Sequence, residues 1–396
     1  MAANERANEE VHEQEVWSWG AGTEGQLGTG YPQDHHLPQL LPSLSYATTE
    51  PISFLSCGGA HTIALTPGGR VLTWGRSTSG QLGHGDMVNS LNPKRVDALQ
   101  SFVITHVSAG WNHSGFVSDT GRLFTCGDGS FGQLGHGDYS SRCSPVNVLY
   151  FSSRHVEQIA CGMRHSLALL KGNVEDHVYG FGSGKRGQLG TSRDRIQSIS
   201  LPQITLGLED NKIASISANG DHSAALSADG HLYIWGRGFG STTDVYCPHR
   251  ASASLTFTQA ALGWNHALLL TGDGTVFMLG GNHHGGLSNP QKTILVKHTA
   301  EQSNEALVGR IPNLDGIKVL QVAAGAEHSA LVTGKVIFKN GVIMTWGWGE
   351  HGQLGLGNSD DQTSPQVVSL GQRPSKECTM YNVYCGSGFT FVTRTI

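Results

Sequence analysis

The sequence predicts an all-β fold, a seven-bladed β-propeller closed by pairing of the N- and C-terminal repeat fragments. Three observations carry this: a repeat, its spacing, and the complementarity of the chain ends. The repeat has two parts. An aromatic or apolar residue followed by glycine recurs as Trp19-Gly20, Trp74-Gly75, Cys126-Gly127, Phe181-Gly182, Trp235-Gly236, Leu279-Gly280 and Trp346-Gly347. Gly-Gln-Leu-Gly follows five of these, at 25–28, 80–83, 132–135, 187–190 and 352–355, and has decayed after Trp235 and Leu279. The second part is a small residue or Cys, Gly, variable residues and usually His. It ends at His61, His113, His165, His222, His266 and His328, with Phe389 in the seventh slot.

The spacing suits the fold. Successive glycines of the first motif lie 44 to 67 residues apart, the length of a four-stranded propeller blade. The ends fit too. From Val16 the chain holds only the late part of a repeat, and it stops after the early part, VYCGSGFTFVTRTI. Joined, they make one blade and remove two exposed sheet edges.

Each element follows from the same pattern. In copy one, HTIALT runs through PGG into RVLTWG, two apolar stretches joined by a glycine-rich turn, and SDTG, SADG and TGDG serve copies two, four and five. Such turns supply the positive φ that tight hairpins need. His and the first-motif residue stand 13 apart in these four copies, 16 in copy three and 18 in copy six, so copies three and six are expected to carry longer turns.

Composition limits the function. The 396 residues include 54 Gly, only 14% are charged, and the net charge is −5; no global basic field exists to drive phosphate-backbone binding, which argues against direct nucleic-acid contact. Seven cysteines without a C-x-x-C pair fit a reducing compartment. The N-terminal stretch carries five Glu and one Arg up to position 15, unlike a secretory or transit peptide, and no run reaches the ~18 apolar residues of a membrane span. The expectation is a chain of the nucleus or cytoplasm, with an acidic disordered tail over 1–15 and one propeller over 16–396.

Motifs that look chemical have a repeat explanation. Four G-x-G-x-x-G segments begin at Gly20, Gly127, Gly182 and Gly347, but Gln-Leu-Gly follows each where a dinucleotide site needs a helix. The six slot histidines recur once per blade and lack zinc spacing, so they read as buried structural groups alongside Trp19, Trp74, Trp235 and Trp346. No catalytic residue, cofactor, metal or small-molecule substrate is expected.

The registered G-x-x-H, then W-G, then G-Q-L-G pattern resembles the regulator-of-chromosome-condensation repeat family over residues 16–394. The resemblance implies a seven-bladed propeller, with members that include a Ran exchange factor and a plant UV-B receptor. Exchange on Ran is implied by an Asp before the third-copy His, a fifth-copy His and a wedge insertion. Here Arg164 stands in the Asp position, His266 is present, and no insertion interrupts TGRLFTCGDGSFGQLGHGD. That leaves exchange on another small GTPase. For UV-B sensing, the resemblance implies G-W-R-H segments in adjacent blades. This chain has G-W-N-H at Trp111 and Trp264, in copies two and five, with Asn112 and Asn265 in place of Arg. Blade separation predicts that these two Trp are not closely coupled.

The reading that remains is a non-catalytic scaffold that binds a protein partner, a small GTPase among the partner classes. Its candidate contacts are Trp111, Trp264, Arg164, Lys185, Arg186, His266, His283 and His284. They include the long insert at 282–317, beside an extended hairpin at 334–341. A cationic stretch at 142–195 carries eight Arg or Lys against four acids.

Overall fold

A computed structural model describes residues 13–45, 50–171, 177–192, 197–237, 239, 244–252, 254–280, 308–311, 313–334, 341–371 and 380–396. Among them are seven four-stranded antiparallel sheets. Blades 1 to 6 span 54–95, 104–147, 156–204, 213–250, 259–310 and 319–368. Blade 7 joins strands Met380–Cys385 and Phe389–Thr395 to Gln14–Gly20 and His35–Leu40. The first strand of each blade touches the first strand of the next, all the way round, so these strands line the central channel.

Closure follows the expected pairing. Gln14 to Gly20 run antiparallel to Thr395 to Phe389 without a register break. Arg394, 4% exposed, donates from Nε to Glu15 Oε2 at 2.6 Å and lies over the Trp17 ring. Ile396 N donates to Glu13 O. Residues 13–15, assigned by sequence to the tail, therefore take part in the closing blade. Removing two unpaired edges and burying a paired guanidinium both favour the ring over an open rod.

The hairpin register is as read: His61, His113, His165, His222, His266 and His328 each pair with the glycine of the following W-G-type motif. Second strands such as His61–Leu65, His113–Ser118 and His165–Leu170 are buried at every position. Each lies mid-blade with sheets packed on both faces, so alternation gives way to continuous apolar runs. Apolar clusters fill the space between blades; Ile63 and Leu65 of blade 1, for instance, pack with Phe116 and Phe124 of blade 2. The outer strands carry Pro38, Pro93, Pro145, Pro202, Pro248 and Pro365. Proline lacks an N–H to offer a further strand, which blunts these edges.

Candidate partner-binding face

The G-x-x-H turn is built by size. A Cβ on Gly162 would stand 2.2 Å from His165 Cε1, and one on Gly58 would stand 2.8 Å from His61 Cε1. Glycine leaves the space the ring three residues later fills. Phe389 uses the same space, since a Cβ on Gly386 would meet its Cζ at 2.2 Å. The slot therefore selects a flat ring, and histidine adds a bond.

That bond leads to the neighbouring blade. His61, His113 and His165 place Nε2 2.9 Å from the hydroxyls of Ser114, Ser166 and Ser223. His266 and His328 do the same at 3.0 Å with Ser329 and Thr390. Ser114, Ser166, Ser223 and Thr390 donate in turn to the carbonyls of Gln81, Gln133, Gln188 and Gln353. A hydroxyl has one proton, so the imidazole Nε2–H is the donor in these four relays. Thr62 donates likewise to Gln26 O, and these Gln carbonyls accept indole N–H bonds too: Trp235 to Gln188, Trp19 to Gln353, and Trp74 to Gln26, each 2.9 Å. The Gly-Gln-Leu-Gly loop is thus a seam clasp. Burial drives the His61, His165 and His328 pKa values down to about 3, and those of His113 and His266 to about 4.

All G-x-x-H turns and Gly-Gln-Leu-Gly loops end on one side of the ring, the turn face. Its centre is tied by backbone bonds between consecutive turns, including Gly59 N to Gly110 O, Trp111 N to Gly162 O, Met163 N to Gly220 O and Ser387 N to Gly58 O. Trp111 and Trp264 reach across the channel mouth. Their ring centroids are 5.1 Å apart with planes at 47°. This corrects the expectation that blade separation keeps them apart: on a ring, residues three blades apart meet across the hole. Beneath them a cavity of about 60 Å³ is lined in part by Met163, Cys57, Cys161 and Cys385, far smaller than the ~300 Å³ of a small-ligand site. Burial pushes the Cys161 and Cys385 thiols up to about 12.

The other sequence candidates separate into groups. Arg164, Lys185 and Arg186 are exposed on the turn face. Arg164 lies 5.0 Å over the Phe131 ring, and Arg186 reaches Asp244 at 3.3 Å across the seam between blades 3 and 4. His266 is 4% exposed and spends Nε2 on Ser329; it belongs with the structural histidines rather than with the accessible contacts. Asn112 accepts from Arg76, and Asn265 donates to Glu327, so both bridge blades. His283, His284, Arg193 and Arg195 lie outside the described residues, as does 281–307, most of the insert; Arg310 ends the outer strand Val308–Arg310. Of the extended hairpin, 335–340 also lie outside. Among the described residues no His, Cys, Asp and Glu group could hold a metal ion, and no helix is long and apolar enough to cross a membrane.

A clasped ring with a polar, aromatic-centred face is a closed seven-bladed propeller whose buried strands carry its turns on one side. The chain belongs to the RCC1-like domain family, whose model matches residues 15–392. It is similar to the ultraviolet-B receptor UVR8 of Arabidopsis thaliana, 31% identical over 327 residues, 80% of this chain and 70% of the receptor. It is also similar to the secretion-regulating guanine nucleotide exchange factor of Bos taurus, 30% identical over 373 residues, 89% of this chain and 78% of that protein. Among solved structures, Prp20p of Saccharomyces cerevisiae, which was characterised for binding to Gsp1p and histones, superposes with a TM-score of 0.79 at 25% identity, covering 98% of this chain and 92% of its own.

Proposed function

We propose that this chain is a non-catalytic regulatory propeller of the nucleus or cytoplasm that binds a protein partner on its turn face. The observation that carries the reading is the Trp111–Trp264 pair, half-exposed at the hub of a rigid ring with the exposed Arg164 on the neighbouring turn. Trp and Arg dominate binding hot spots because they combine large contact area with a polar handle. Rigid backbone beneath them lowers the ordering cost of association. Prp20p, a structural neighbour that binds proteins, supports a protein as the ligand class. The test is capture of partners from nuclear and cytosolic extracts with tagged protein, followed by direct titration of each. Trp111→Ala and Arg164→Glu are expected to weaken the complex about tenfold or more while leaving the thermal midpoint within a few degrees. Normal binding by both variants would remove the turn-face centre from consideration.

A second reading, exchange of nucleotide on a small GTPase other than Ran, draws on the similarity to the secretion-regulating exchange factor. The loop 128–141 carries no inserted wedge, and His266 is sequestered. Release of fluorescent nucleotide from a panel of GTPases tests this reading, and a rate unchanged across the panel removes it.

A further inference from the structure

We infer that the outer arc of the turn face, from blade 6 round to blade 2, is a second docking surface for a basic segment of another protein carrying apolar side chains. The arc lies away from the Trp111 centre and does not depend on it. It starts from apolar residues the fold does not use. Tyr31, Met87, Val88 and Tyr139 are 65%, 53%, 67% and 52% exposed, and each lies one to three residues beyond the Gly-x-Gly that ends a Gly-Gln-Leu-Gly-x-Gly loop. Leu37, 55% exposed, extends the row at the seam between blades 6 and 7.

These tips are held in place. Gly30 N donates to Leu91 O, Gly85 N to Cys143 O, Gly137 N to Ser200 O and Gly357 N to His36 O, at 2.9 to 3.1 Å. Each loop is thereby pinned to the outer strand of the next blade over four consecutive seams. An apolar side chain on a pinned loop loses little further freedom when covered, so its burial converts to affinity more fully than on a mobile one. Scattered exposed apolar residues need no explanation, but a row repeated at one loop position over adjoining blades forms a patch.

Charge decides what covers it. The four loops 21–34, 76–89, 128–141 and 348–361 together carry eight acidic residues against one Arg, Arg76, which is bonded to Asn112; of the acids, Asp138 is paired with Arg142. A net charge of this sign along one arc repels acidic partners and steers basic ones. The chain's own cationic sector is a poor match. Arg164 already lies over Phe131 and Arg186 is paired with Asp244, so a second copy would have to break both contacts. A foreign segment with Lys or Arg flanking apolar side chains satisfies both features at once.

The test uses the full chain and a fluorescein-labelled synthetic peptide of alternating lysine and leucine, with lysine–serine and glutamate–leucine peptides beside it. Saturable binding of the lysine–leucine peptide alone is expected. The triple variant Tyr31→Ser, Val88→Ser, Tyr139→Ser should weaken it about tenfold with an unchanged thermal midpoint. Asp86→Asn with Asp360→Asn should reduce its dependence on salt, while Trp111→Ala leaves it untouched. Equal affinity for the lysine–serine peptide, or full binding by the triple variant, would overturn the inference. So would a concentration-dependent dimer abolished by the triple variant, which would make a second copy the occupant.

Discussion

Six of the seven ring positions at the head of the second strands are histidine, and the seventh shows what they need in common. Phe389 fills the same hole over Gly386 without a bond, so shape is the first requirement and the Nε2 donor the second. The five hydroxyl-bonded rings whose pKa values burial lowers to about 3 or 4 stay neutral in the folded ring where the unfolded chain, near 6.5, already takes up protons. Stability is therefore complete above pH ~6.5 and falls as the pH drops toward ~4, each ring contributing up to about 1.4 kcal/mol per unit of pH. Urea unfolding at pH 7.5, 6.0 and 5.0 should show a steep loss, and His165→Phe should flatten it by about one proton. Asp138, Asp229 and Asp273, whose pKa values lie below the usual carboxylate range because of hydrogen bonds from neighbours, titrate under this window and do not mask it. A stability independent of pH between 7.5 and 5.0 would refute neutral buried rings. Glycine supplies the matching test of shape. Gly162→Ala, with its Cβ 2.2 Å from His165, is expected to cost roughly 1–3 kcal/mol. Gly272→Ala meets only a Thr258 methyl at 3.7 Å and should stay within about 0.5 kcal/mol.

A blade takes its stability from its neighbours, and that explains which parts could be read from the chain and which could not. Hairpin register was legible because the His-to-motif distance fixes which residues face each other across one strand pair. The turns of copies three and six were legible as longer for the same reason. The meaning of Ser114, Ser166, Ser223 and Thr390 was not, because each hydroxyl acts only when the preceding blade supplies a histidine some 53 to 62 residues earlier. The prolines of the outer strands carried a usable signal, one per strand in six blades, that repeat reading passed over. Trp111 and Trp264 show the opposite fault, since counting blades along the chain treats a ring as a line. Their contact predicts a coupling of about 0.5–1.5 kcal/mol beyond area burial in a Trp111→Leu, Trp264→Leu double-mutant cycle of stability. Additive single effects would mean the rings merely coexist.

Around the whole molecule the clasps are unevenly distributed, and the decayed copies four and five mark where. The Gln carbonyl hub spans the seams 7/1, 1/2, 2/3, 3/4 and 6/7. At 4/5 the second strand of blade 5 has Ala267 in place of the relay hydroxyl and its third has Leu279 in place of Trp. Another tie fails there as well. Gln158, Gln259 and Gln321 each clasp the backbone of the next inner strand, donating to Ala214 O, Val322 O and Val383 O and accepting from Ile216 N, Val322 N and Val383 N. Ser215 holds that slot in blade 4 and is too short to bridge. Among the described residues the side-chain ties at 4/5 are Asn219 Nδ2 to Leu262 O and His222 to Trp264 O, the His222 ring also facing Arg237 O of its own blade at 2.5 Å. A neutral ring can donate to only one of them, so its other nitrogen sets a lone pair against a carbonyl oxygen, a repulsion the slot histidines with a hydroxyl partner do not carry. The ring should therefore open first at 4/5, beside Trp264 on the proposed binding face, as low-stability elements commonly border binding sites. Hydrogen exchange should run faster at the amides of 260–262 than at 322–324, whose seam retains the Gln259 clasp. Ser215→Gln should slow exchange at 260–262 by restoring the missing clasp. Protection at 4/5 equal to that at 3/4 would show that the apolar packing of Leu226, Ile234, Leu262 and Leu269 alone holds this seam as firmly as the clasps hold the others.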